Sequence, residues 1–136
     1  MYHTLLLLHV LAAFAIVATV VIFTAFAVGW ANDSRVLAVG NVLWMIGGLG
    51  TLGFGIWLAL YVGGYHIYDG WIIAAIVVWA IATELGRRAQ VGFTAASPSE
   101  SGTSPSREAR QAAVWHWLRT IAVLVLLYLM IFKPGA

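Results

Sequence analysis

The sequence predicts an all-α integral membrane protein, a four-helix bundle with both termini on the outer side of the bilayer. Three observations predict it. The 136 residues are 62% hydrophobic and only 9% charged. Soluble domains carry roughly 25% charged residues, so this chain has too little polar surface to cover a globule in water. Four apolar runs each approach the roughly 20 residues that a helix needs to cross a hydrocarbon core of about 30 Å. All six arginines (Arg35, Arg87, Arg88, Arg107, Arg110 and Arg119) flank or lie between those runs. With the first-to-second and third-to-fourth connections inside, all six fall on the inner side and only Lys133 on the outer, a strong positive-inside bias.

The runs predict helices over about 5–30, 35–62, 70–90 and 112–132, within a single membrane domain spanning 1–136. They are continuous, lack alternation of period two and contain no internal proline, so helices are expected over strands. The first run has no basic segment before it and is about twice the length of a signal core, so it reads as a retained span. Asn32-Asp33-Ser34 offers N-cap side chains to the second helix, and Asp69 offers one to the third. Gly63-Gly64 stops the second helix. The 92–110 connection has at its centre Ser97 to Ser106, a flexible-linker composition expected in the cytoplasm. Tyr2, Tyr61, Tyr65, Tyr68 and Trp71 form an expected outer aromatic belt, and Trp30, Trp115 and Trp117 an inner one.

Composition also removes function classes. There are no cysteines, which excludes disulfides, thiolate metal sites and covalent c-type haem. A net charge of +2 does not argue for nucleic acid, because the basic residues sit at the membrane edges. No serine–histidine–carboxylate set, phosphate-binding glycine loop or metalloprotease helix is visible. Small multidrug exporters depend on a carboxylate deep in the first helix, and here that helix has His9 and no Asp or Glu. Other polar groups in the spans are few: Thr19, Thr24, Asn41, Thr51, Thr83 and Thr120.

The second run is rich in glycine. Gly47, Thr51 and Gly55 recur at i, i+4, i+8 and so share a helix face. Small residues at that spacing let membrane helices approach closely, here within the bundle or, as the alternative, in self-association. His9 is the sharpest candidate for chemistry. It lies roughly 6 Å below the outer boundary at about 1.5 Å per residue, and an ionisable residue at membrane depth needs a partner or a ligand. Either it is a neutral histidine bonded to a backbone carbonyl or polar side chain, or it ligates haem b or copper. For copper the nearby outer groups are His3, His66 and Asp69, although His3 and His9 point about 120° apart on one helix. On the inner side Glu84, Arg87 and Arg88 share a face, with His116 and Arg119 expected at similar depth. This reads as a charge-neutralising cluster whose arginines snorkel to the headgroups. A proton relay through Glu84 and His116 has no further group to connect to.

Leu8-His9-Val10-Leu11-Ala12 resembles the start of the copper-resistance protein D superfamily and of the related protoporphyrinogen-oxidase-like membrane proteins, where a histidine opens the first span. Phe54-Gly55-Ile56-Trp57-Leu58, Asp69-Gly70-Trp71-Ile72 and the ending Phe132-Lys133-Pro134-Gly135 look like an uncharacterised actinobacterial four-helix family grouped with them. The resemblance covers most of the transmembrane region. It implies a four-helix bundle with His9 matching the histidine that relatives associate with haem or copper. The chain departs from them in carrying no lysine or second histidine well inside a later span.

The leading expectation is a non-catalytic accessory or packing subunit in the plasma membrane, docked to other membrane proteins as in an energy-converting complex. A haem- or copper-binding protein using His9 comes second, and a small oligomeric transporter last. A bound cofactor is expected slightly less than none.

Overall fold

A computed structural model describes residues 1–96 and 107–135. Four helices follow in order: α1 Tyr2–Ala27, α2 Ser34–Val62, α3 Gly70–Ala95 and α4 Arg107–Phe132. No strand occurs among the described residues. All four helices are long and apolar enough to cross a membrane, the pattern of a multi-pass membrane protein. At about 1.5 Å per residue each is longer than the hydrocarbon core. Large apolar side chains such as Leu11, Phe14, Val39, Ile81 and Leu124 face outward, as lipid rather than water demands.

Helix ends follow local chemistry. Asp33 caps α2, its carboxylate accepting from the Arg35 N–H at 2.9 Å. Gly63 and Gly64, at φ 78° and 89°, end α2 in a backbone region that costs glycine least. Asp69 stands at the N-cap position of α3 but does not cap it with its side chain. That carboxylate turns back to accept from the His66 N–H at 2.9 Å. α1 stops at Ala27, short of the expected Trp30, because Gly29 takes φ 79° and the Trp30 N–H closes back on the Ala25 carbonyl. α3 and α4 both run further into the 92–110 connection than hydropathy predicts. In α4 the added residues 107–111 are strong helix formers with or without lipid, whereas in α3 the added residues 91–95 are held by packing, Phe93 against Phe23 and Ala112, so hydropathy marks the crossing and not the helix end. The Ser97–Ser106 linker lies outside the described residues.

The bundle is two close hairpins, α1 with α2 and α3 with α4, which touch each other more sparsely. Within α1–α2, the face Gly47, Thr51 and Gly55 is turned to α1. A Cβ on Gly47 would lie 2.8 Å from the Ala12 carbonyl oxygen and 3.0 Å from the Ile16 nitrogen. One on Gly55 would lie 2.9 Å from His9 Cε1. The Thr19 hydroxyl, 3.0 Å from the Gly40 carbonyl, ties the same pair. In α4 the buried residues are Ala112, His116, Arg119, Val123 and Leu126, a four-three alternation that presents one seam to the other helices. Three apolar layers stack along the bundle, centred on Phe23 and Phe93, on Trp44 and Val123, and on Trp71 and Ile72.

Candidate functional site

Where the hairpins meet at the end that carries both termini, they leave a cleft of about 350 Å³. All four helices supply its wall: Leu6 and His9 from α1, Thr51 and Ile56 from α2, Trp71 and Ile72 from α3, and Met130 from α4. Lys133 closes the rim. The volume falls in the range of small-molecule sites, and the mostly apolar wall with few polar groups has their character.

His9 is positioned by α2. Its Nδ1 lies 3.0 Å from the Thr51 carbonyl oxygen. A carbonyl only accepts, so Nδ1 carries the proton and Nε2 the lone pair. Ligating histidines are commonly set by this bond, the second nitrogen holding the tautomer while the first binds. Gly55 keeps space for the ring, as its missing Cβ shows.

Two further residues of the wall each carry a buried polar atom without a partner. Among the described residues the buried side-chain polar atoms lacking a hydrogen bond are Thr51 Oγ1, Trp71 Nε1, Trp79 Nε1 and Arg119 Nε; the first two belong to residues that line the cleft. Lys133 takes a left-handed φ of 43°, the one non-glycine residue with positive φ among those described. Its ammonium lies 4.7 Å from the Tyr65 ring centre and 5.5 Å from that of Trp71, a cation–π arrangement.

The four residues expected around copper do not come together. Among the described residues no three His, Asp or Glu side chains gather as a metal site. His3 packs edge-on against Tyr2, and His66 stacks on Tyr68 with ring centres 5.0 Å apart. The Asp69 carboxylate is taken by the His66 backbone. None of the three lines the cleft that His9 lines.

The expected inner cluster divides in two. Glu84 accepts from Arg87 and Arg88 at 2.8 and 2.9 Å on an exposed face of α3. Arg88 also lies 5.0 Å over the Trp115 ring. His116 and Arg119 are elsewhere, 0% and 1% exposed inside the bundle. The reason is helical phase: Ala82, Gly86 and Ala89 turn inward on α3, leaving 84, 87 and 88 to the outside. Arg119 therefore does not snorkel, and His116 is buried beside it in the bundle. Gly86 makes room for the guanidinium, since a Cβ there would be 2.5 Å from Arg119 Nη1.

The buried pair has an assignable proton pattern. The Thr24 hydroxyl donates to the Val20 carbonyl at 2.7 Å, so at 2.9 Å it accepts from His116 Nε2–H. His116 Nδ1 then accepts from Arg119 Nη2 at 3.3 Å. The guanidinium stacks 4.1 Å over Phe23 and lies 5.1 Å from the Trp44 ring centre. The ion pairs found among the described residues do not include Arg119. With Glu84 tied outside, no relay joins it to His116.

Met130, Trp71 and Lys133 were not candidates from sequence. The readable signal was the Lys133-Pro134-Gly135 helix stop, which returns a lysine to the aromatic belt. No family model, no curated protein and no solved structure matches the chain.

Proposed function

We propose that the protein is a non-catalytic multi-pass membrane protein that holds an apolar ligand in the cleft against His9. The observation that carries this reading is that His9, whose Nδ1 bond to the Thr51 carbonyl is the one a neutral histidine would make and leaves the lone pair on Nε2, lines a 350 Å³ apolar cleft. Haem fits the donor set. His9 Nε2 would hold the iron, and Met130 offers a thioether in the same wall. His and Met are both haem-iron ligands, and iron so held supplies one-electron chemistry. Imidazole and thioether are also the ligand types that suit cuprous copper. Protein expressed with haem and copper in supply should show a Soret band or stoichiometric copper. His9→Ala should lose it while keeping its helicity. Wild-type protein that takes up neither would contradict the metal-bearing form of the reading.

The second reading is an accessory subunit docked to other membrane proteins. Exposed apolar side chains such as Trp57, 50% exposed, suit a partner helix and lipid alike. The glycine face lends it no support, because α1 covers Gly47 and Gly55. A membrane chain that co-purifies in native detergent extracts would support it.

For orientation we infer a plasma-membrane protein with both termini outside and the 92–110 connection in the cytoplasm. Five arginines support this (Arg35, Arg87, Arg88, Arg107 and Arg110); Arg119, buried in the bundle, carries no weight. Moving Arg87, Arg88, Arg107 and Arg110 into the 63–69 connection should invert or scramble insertion. A C-terminal reporter still outside in that variant would sink the orientation.

A further inference from the structure

We propose that Arg87 and Arg88 of α3, with Trp115 of α4, form a surface site for the headgroup of an anionic phospholipid. The site lies at the end of the bundle away from both termini and does not rest on the cleft. Two guanidiniums there share one carboxylate. Glu84 accepts from Arg87 Nε and Nη2 at 2.9 and 2.8 Å and from Arg88 Nε at 2.9 Å. One carboxylate cannot neutralise two cations, so the cluster keeps one net positive charge. These bonds use a single nitrogen of Arg88, which leaves its terminal N–H fork for another acceptor. The Arg88 guanidinium lies 5.0 Å from the Trp115 ring centre, a cation–π contact that holds it on the α4 side of α3. The Arg87 and Arg88 side chains are 64% and 50% exposed, so they face what surrounds the bundle.

Depth points to the headgroup. From Trp71, in the wall of the cleft, α3 rises about 25 Å to Arg88 at about 1.5 Å per residue. That brings Arg88 near the far edge of a hydrocarbon core of about 30 Å. Arginine side chains at that depth reach the phosphates, and a guanidinium fork meets phosphate oxygens two at a time. Towards the middle of the membrane the same face of α3 continues in Ile81, Val77 and Ile73, each about half exposed, a stripe along which an acyl chain can lie. Charge at the membrane edge above a hydrocarbon track matches a phospholipid. The net charge selects the anionic kind, because a zwitterionic headgroup brings its own cation to a patch that already holds an unpaired one.

The site is open to the bilayer, so a bound lipid exchanges with its neighbours and is lost in detergent. The test therefore keeps the full chain in nanodiscs of phosphatidylcholine with a rising share of phosphatidylglycerol. It follows the Trp115 indole N–H resonance, assigned through Trp115→Phe. One unpaired basic charge at such a surface is worth about fivefold in affinity. The shift should saturate and be half complete when about one lipid in six is phosphatidylglycerol. Glu84→Gln removes the competing carboxylate and adds one net charge, and should move that midpoint to about one in twenty-five. Arg87→Gln combined with Arg88→Gln should abolish the preference. Arg110→Gln, about 140° around α4 from Trp115, should leave it unchanged, as should Ala59→Phe in the cleft. A shift without a midpoint, one that survives the double glutamine variant or falls equally in Arg110→Gln or Ala59→Phe, or one that does not tighten in Glu84→Gln would overturn the site. A saturating shift from inorganic phosphate alone, in pure phosphatidylcholine, would overturn the lipid as its occupant.

Discussion

Gly47→Leu is expected to destabilise the bundle by about 3 kcal/mol or more, and Gly53→Leu to leave it unchanged or slightly more stable. Both lie in α2 and both changes add the same side chain. At Gly47 even a Cβ would approach the Ala12 carbonyl oxygen to 2.8 Å and the Ile16 nitrogen to 3.0 Å. Those are backbone atoms of a hydrogen-bonded helix and cannot swing aside, so the whole α1–α2 contact must open. Overpacking costs typically about 1–3 kcal/mol and more where nothing can relax. At Gly53 nothing lies within 4 Å of the added carbon, and leucine favours helix over glycine by up to about 1 kcal/mol. Thermal unfolding of the two variants in the same detergent decides the matter. If both behave alike, α1 does not pack on that face.

Arg119 should show the second large effect, and its sign should depend on the replacement. Arg119→Ala removes a long side chain that touches Phe23, Trp44 and His116, and should cost about 2–5 kcal/mol, as large-to-small core changes do. Arg119→Met keeps most of the volume while removing a buried charge that has no carboxylate partner among the described residues. Replacing buried charge by apolar volume is commonly neutral or stabilising, so the methionine variant should fall within about 1 kcal/mol of wild type or above it. A methionine variant as unstable as the alanine one would mean that the charge itself, and not its packing, holds the four helices together.

Much of this architecture is legible in residue order. Continuous apolar runs and the Gly63-Gly64 stop place the helices, and the i, i+4, i+8 spacing of Gly47, Thr51 and Gly55 identifies the face that α1 covers. Charge was misleading at one position because hydropathy treats every arginine as an edge marker. Arg119 belongs instead to the buried seam of α4, and its neighbours Ala112, His116 and Val123 reveal that only when read as a four-three alternation. The expected copper set failed for a different reason. Proximity in topology put His3, His66 and Asp69 near His9, but side-chain direction and the local Asp69 turn took them away. The cleft itself depends on how two hairpins meet, which no single helix pattern encodes. Its key contact joins residues 42 apart in the chain, and the partner on α2 is a backbone carbonyl, an atom every residue possesses and no sequence distinguishes.

A ligand held in the cleft beside His9 should leave the membrane with the protein. The most direct test is the native mass of the protein released from membranes in mild detergent, compared with the mass of Ala59→Phe, in which a ring fills the cleft. Ala59 lines that wall and is buried. One discrete mass increment should be retained by the wild-type chain and be absent from the filled variant, with both folded. A wild-type mass equal to that of the bare chain, or an increment that survives in Ala59→Phe, would contradict it.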